Sequence, residues 1–412
     1  MEEGKKQEAL DESRASNSEN EVLESIPQIV VIEKYLNDHF DFRYNEVLTR
    51  IEFKSKRVTD FSLMNEFALN SIYRAMLKAK INTTIGALKS LLNSNFAPFY
   101  NPFQTYLNSL PKYAGTEDYI ENLAKIVQTT NQDFWLKCFK KWFVALVASL
   151  IKNDVVNHTV IVFSGGQGLG KTTFMLSLVP ECLSNYVFSG TINPNNKDTL
   201  IQLSECILIN MDELENMNRS EIGSLKELIT KSSIRVRKAY GVYSESYVRR
   251  ASFCGSVNGK EFLSDTSGNR RFLCFEVQKI DYLQDINLNL VYAQALHLVK
   301  SDYKFWFDKE EIEELNASNH SFMTTSYEEE ILLKYFRPIE VEKTKIFLSA
   351  TEISKFVQQY ESFQINTAFV NNIGKALVKN SFIRTKKAGR YVYAIEKVAN
   401  TVEIKEQQIF KN

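Results

Sequence analysis

The chain has 412 residues, 44% of them hydrophobic, with 50 basic side chains against 50 acidic ones and a formal net charge of zero. That length has room for two or three domains, each with a full core. The charge balance excludes a molecule that binds polyanions through its overall charge, so attraction to nucleic acid must come from local patches.

Residues 1–25 are rich in Glu, Ser, Asn and Lys and nearly free of large apolar groups, which predicts a disordered tail. A small N-terminal α/β module is expected over 26–112. It opens with amphipathic Val30–Leu36, continues with a strand-like pair around Phe42–Tyr44 and Ile51–Phe53, and predicts helices over Met64–Leu77 and Thr84–Leu92. Lys54, Lys56, Arg57, Arg74, Lys78 and Lys80 make part of it basic, as either a nucleic-acid face, an oligomerisation surface or a solvated surface. Pro98, Pro102 and Pro111 then forbid a continuous helix, so Ala97–Pro111 reads as a boundary or a docked extended segment.

The next region, 113–330, carries the chemistry. Helices are predicted over Asp118–Thr129 and Phe134–Ile151, the second with aromatic spacing suited to a buried face. The apolar run Thr159–Phe163 then leads into Gly165-Gly166-Gln167-Gly168-Leu169-Gly170-Lys171-Thr172-Thr173, and Phe174–Leu178 continues as a helix. This is the G-x-x-x-x-G-K-[ST] phosphate loop in its strand-to-helix context. Glycines let consecutive backbone N–H groups close around a polyphosphate. Lys171 supplies a point charge to the β- and γ-phosphates of ATP, and the Thr172 hydroxyl can ligate Mg2+.

Cys206–Glu213 is a second buried strand, ending in two carboxylates. Behind a phosphate loop, Asp212 is expected to support magnesium and Glu213 to polarise the attacking water. A helix over Ser220–Thr230 is followed by Lys231, Arg235, Arg237, Lys238, Tyr240 and Tyr243, with Ala239–Gly241 turning one strand into another. Cations interleaved with aromatics on such a hairpin suit single-stranded nucleic acid, or else a surface hairpin or subunit contact. A third buried strand, Ala251–Asn258, ends in an amide that can hold the water from the side opposite Glu213. Arg270 and Arg271 then precede the apolar strand Phe272–Val277. They serve either as ordinary salt-bridge partners or as cations reaching a neighbouring subunit's γ-phosphate.

The pattern over 331–400 is helix, helix and two strands with a basic tip, the order of a winged helix-turn-helix. Ser349-Ala350-Thr351-Glu352 reads as a capping box opening the first helix, and Asn366–Lys379 as the second. Lys375, Lys379, Arg384, Lys386, Lys387 and Arg390 lie on the second helix and the wing, where duplex phosphates would be met; winged modules also dock proteins. Residues 401–412 read as a tail. The five cysteines (Cys138, Cys182, Cys206, Cys254, Cys274) show no C-x-x-C spacing and read mostly as small buried hydrophobes in a reducing compartment. The four histidines show no metal-ligand spacing. No apolar run is long enough to span a membrane and the N-terminus does not resemble a signal peptide, so a cytoplasmic location is expected.

Taken together, Gly165–Thr173, Met211–Glu213, Arg235–Gly241, Gly255–Asn258 and Gly268–Phe272 resemble the virulence-associated protein E family, which is itself similar to superfamily 3 and viral primase–helicase ATPases. The resemblance covers about 116–300. It implies an AAA+-like phosphate-loop core working as a ring, most often a hexamer, with ATP between subunits and single-stranded DNA in the channel. On that basis Asn258 falls on the sensor position, and Arg271 fits the arginine finger better than Arg270. No primase motif is present, so priming would come from a separate partner. The expected function is an ATP-driven helicase or translocase in the replication of a phage or mobile element, in a bacterial or phage-infected cell. Two alternatives stand beside it: an ATPase switch that binds DNA and loads replication or defence partners, and a non-catalytic oligomer held together by ATP.

Overall fold

The computed structural model describes residues 27–237, 243–263, 268–281 and 286–398. The expected tails, Lys238, Ala239–Gly241 and Asp265–Ser267 lie outside the described residues. The chain is a mixed α/β protein that divides into two compact units. One falls within Met1–Asn258 and Arg271–Lys309, the other within Gly259–Arg270 and Glu310–Asn412.

The first unit opens with α1 (Gln28–His39), then β1 (Phe40–Asn45), β2 (Arg50–Ser55), β3 (Ser62–Leu63), α2 (Glu66–Lys78), α3 (Ile85–Leu92) and β4 (Phe99–Tyr100). The strands form a small sheet in the order β3-β2-β1-β4. Alternation along the strands sends Phe42 and Ile51 into a core with Leu36, Met76 and Leu88. The other face is polar: buried Glu52 accepts from Arg43 and Asn45 at 2.6 Å each, and Asn45 also donates to the Tyr186 hydroxyl at 2.7 Å. The proline connector is not extended throughout. Pro102 takes the first position of α4 (Pro102–Ser109), where its missing N–H is no loss, and Asn101 caps the helix.

The helix predicted to reach Thr129 stops earlier. α5 (Tyr119–Lys125) gives way to β5 (Val127–Thr129), whose β-branched residues pair better than they coil. α6 (Gln132–Ile151) is buried over nearly its whole circumference, with Trp135 edge-on to Phe163 and Phe275 at 5.2 and 5.0 Å.

Around it stand β6 (Val160–Ser164), α7 (Lys171–Ser177), β7 (Val187–Gly190), α8 (Lys197–Glu205), β8 (Leu208–Met211) and α9 (Arg219–Thr230). The hairpin β9 (Ser233–Val236) and β10 (Glu245–Val248), then β11 (Ser252–Val257), β12 (Phe272–Ile280) and α10 (Leu288–Lys300) complete the unit. The main sheet has the order β5-β12-β6-β11-β8-β7. Every pairing in it is parallel except β5 with β12. Its central strands are buried on both faces, as helix-covered parallel strands must be.

In the second unit, α11 (Tyr327–Tyr335), β13 (Phe336–Pro338), β14 (Phe347–Leu348), α12 (Ala350–Val357), α13 (Thr367–Lys379), β15 (Arg384–Lys387) and β16 (Arg390–Lys397) share one core. β16 pairs antiparallel with β13, β14 and β15. The Ser349–Glu352 capping box is present. Between β15 and β16 the chain reverses through Ala388 and Gly389, whose φ values of 48° and 79° give the twist a two-residue hairpin needs.

Candidate functional site

Three parallel strands end together. Val257 stands opposite Ser164 and Gly255 opposite Met211, so the turns after β6, β8 and β11 meet along one edge of the main sheet. The carboxyl edge of a parallel sheet is where open α/β folds receive ligands.

The first of these turns is the glycine-rich loop. Gly165 has φ 148°, and a Cβ there would come within 2.9 Å of the Val277 carbonyl oxygen, so only glycine fits. Gly166, Gln167, Gly168 and Thr173 are exposed, and Leu169, Gly170 and Thr172 are half-buried. Lys171 is buried and folds back on the loop, donating to Gly165 O at 2.7 Å and Gly166 O at 2.8 Å. Burial pulls its ammonium below the usual lysine range, and the Glu215 carboxylate opposes that shift.

The second turn presents Asp212. Its Oδ1 accepts from the Thr172 hydroxyl at 3.2 Å and from Asn210 Nδ2 at 3.0 Å; its Oδ2 accepts from the Ser189 hydroxyl at 3.3 Å. Asn210 also donates to Ser189 at 2.9 Å and accepts from the Cys254 thiol at 3.5 Å. Burial and the Asp212 charge push that thiol well up, so it stays a neutral donor. Ser189 and Asn210 were not singled out from the sequence. A lone amide inside the apolar run Cys206–Met211 was a signal for Asn210. Ser189 had none, because it belongs to the short edge strand β7 and reaches Asp212 only through sheet pairing.

Glu213 is exposed, has φ 56°, and accepts from Asn216 Nδ2 at 2.8 Å. Asn258 is exposed at the end of β11, and its backbone N–H donates to Glu215 Oε1 at 3.0 Å. Lys171, Thr172, Asp212, Glu213 and Asn258 thus share one edge. Arg271 does not. Phe272 pairs with Val160, so Arg271 lies at the amino edge of the sheet, and exposed Arg270 falls within the other compact unit. Among the described residues no cluster of three or more His, Cys, Asp or Glu side chains is placed to hold a metal ion.

On the hairpin, Ile234 and Val236 point inward while Lys231, Arg235 and Arg237 are exposed; Lys238 and Tyr240 are outside the described residues. In the second unit Lys375, Lys386, Lys387 and Arg390 are exposed. Arg384 stacks on exposed Tyr391 at 3.7 Å and Lys387 on Phe347 at 3.2 Å. Lys379 differs, since its ammonium is held by buried Glu329 at 2.6 Å and by Thr324 O at 3.2 Å. Four of the five cysteines are buried as expected; Cys182 is exposed. No helix among the described residues is long and apolar enough to cross a membrane.

Fold and site define an α/β protein with a parallel core sheet, whose glycine-rich turn faces a hydrogen-bonded carboxylate. The sequence pattern of the virulence-associated protein E-like domain matches residues 107–324, more than half of the chain, and the chain belongs to that family. Among solved structures, the apo structure of the NrS-1 C terminal region (305-718) is similar at 15% identity and a TM-score of 0.49, covering 91% of this chain and 100% of that one. Its A form is similar at 15% identity and a TM-score of 0.45, covering 89% and 98%. No curated protein matches.

Proposed function

We propose that the chain is an ATP hydrolase that moves along DNA as a ring of identical subunits, acting as a helicase in the replication of a phage or mobile element. The observation that carries this reading is the meeting of the glycine-rich turn, Lys171, the Thr172–Asp212 pair and Asn258 along one edge of a parallel sheet. In this reading the first unit contains an AAA+-like phosphate-loop core and the second a winged-helix module.

The residues fit a magnesium nucleotide. The Thr172 hydroxyl and the Asp212 carboxylate are adjacent hard oxygen donors, and magnesium favours few protein ligands beside phosphate oxygens. Gly165–Gly170 offers backbone N–H groups, and Lys171 needs only to leave two carbonyl oxygens to meet phosphate. Bound magnesium would supply neutralisation of the charge on the phosphates. Glu213 and Asn258 are the residues proposed to orient the attacking water, with Arg271 serving the neighbouring subunit's site. The outward cations of the hairpin would line a channel for single-stranded DNA, and Lys375, Lys386, Lys387 and Arg390 would meet duplex phosphates. The proposed location is the cytoplasm, and a separate primase or other replication partner is the proposed company.

The test is ATP turnover with and without single-stranded DNA, on a sample whose subunit number is fixed by native mass. Turnover stimulated by DNA in a hexamer supports the reading. Absence of turnover with magnesium and ATP overturns it. Hydrolysis without strand separation on a forked duplex would replace the helicase by an ATPase switch that loads other proteins.

A further inference from the structure

The turn after β8 carries two carboxylates besides Asp212, and they are held differently. Glu213 is exposed and bonded to Asn216 within its own turn. Glu215 sits on the short 3-10 turn Leu214–Asn216. That turn presses on β11 at Gly255, where a Cβ would meet Leu214 Cδ1 and Met211 O at 2.7 Å each. From there Glu215 Oε1 accepts the Asn258 N–H at 3.0 Å, which ties the end of β8 to the end of β11. The second oxygen, Oε2, is buried and has no hydrogen-bond partner among the described residues. A buried carboxylate oxygen left without a partner is unfavourable, so Glu215 is kept at this position against a cost.

We propose that Glu215 is a positioning residue of the nucleotide site. Held by its turn against β11, its Oε1 fixes the Asn258 backbone at the sheet edge, so that the Asn258 amide is placed to orient the attacking water. The proposal rests on the nucleotide reading above.

Two variants of the full chain test it. Glu215→Gln keeps an acceptor for the Asn258 N–H; Glu215→Ala loses it. Three quantities are measured: hydrogen exchange of the peptide spanning 255–260 without nucleotide, kcat for ATP, and binding of a fluorescent magnesium-ATP analogue to the wild-type chain. The Ala variant is expected to exchange faster at Asn258 and to have a kcat at least about tenfold below that of the Gln variant, since the water-orienting amide is no longer held. Unchanged exchange and equal kcat in the Ala variant overturn the tie to Asn258. A wild-type chain that binds no nucleotide overturns the nucleotide reading itself. The exchange measurement tells that failure apart, because it needs no nucleotide.

Discussion

At the scale of single residues, the proposed function divides the site into groups that would hold phosphate and groups that would orient water. Lys171 is a cation folded against the glycine-rich loop. Removing it as Lys171→Ala should abolish ATP affinity together with turnover. Glu213→Gln should leave affinity within about threefold and lower kcat at least about a hundredfold, the usual weight of a positioned acid–base group. Binding of a labelled ATP analogue to both variants, with turnover measured in parallel, checks this; near wild-type hydrolysis by the Gln variant would remove Glu213 from its role. Ser189 bears on a different quantity. Its hydroxyl donates to Asp212 Oδ2 and accepts from Asn210; with magnesium on Asp212 as proposed, it would be an outer-layer contact of the kind that tunes metal affinity. Ser189→Ala should raise the magnesium concentration for half-maximal turnover by about tenfold while kcat at saturating magnesium changes much less. An unchanged magnesium titration would show that Asn210 and Thr172 alone hold Asp212.

At the scale of elements, the second unit shows how alike two lysines can look in sequence and how differently they act. Lys379 and Lys386 both lie on segments expected to meet DNA. Lys379 is half-buried and paired with buried Glu329, whereas Lys386 stands on the exposed β15–β16 tip beside Tyr391. Lys379→Ala leaves buried Glu329 without its counter-charge, held among the described residues only by Asn380 Nδ2, and should destabilise the unit by about 3 kcal/mol, read as a fall in its unfolding midpoint. The triple change Lys386→Ala, Lys387→Ala, Arg390→Ala should leave that midpoint nearly untouched. It should weaken duplex binding and flatten the dependence of log affinity on log salt by about two to three counterions. A triple variant with an unaltered salt slope would assign this tip to protein docking. The same contrast explains what the sequence could and could not reveal. The glycine-rich turn, the Asp212 strand, the β9–β10 pairing and the Ser349 cap are written in local periodicity and in residues with one conformational use. β5 and β7 are not, because strands of three and four residues at a sheet edge carry too little pattern to oppose helix or loop. Ser189 and Glu215 were hidden for a related reason. Each reaches its partner across a strand pairing or a turn, and nothing in the neighbouring sequence encodes that pairing.

At the scale of the whole molecule, the deciding question is whether one subunit completes another's site. Arg271 precedes β12, which runs parallel to β6 with Phe272 opposite Val160. The glycine-rich loop begins after the far end of β6, a strand of 5 residues, so the two ends are separated by about 17 Å at 3.3 Å per residue. An arginine side chain anchored at the amino edge cannot span that distance to its own loop through the packed sheet. If Arg271 acts on nucleotide at all, it acts on that of a neighbour, where a guanidinium stabilises charge on the transferring phosphoryl group by on the order of a thousandfold in rate. An Arg271→Ala chain should therefore bind ATP, assemble and fail to hydrolyse. Lys171→Ala subunits keep the arginine but lack a working site, so they should be inactive alone as well. Mixing the two should restore part of the turnover, because within one ring a Lys171→Ala subunit can present its arginine to the intact loop of an Arg271→Ala neighbour. The recovered rate should rise and fall with the mixing ratio and vanish when either variant is in large excess. A mixture that stays inactive despite co-assembly shown by native mass, or full activity in Arg271→Ala alone, would end the trans arrangement. Arg270 would then be the next residue to substitute, since it stands exposed one position earlier.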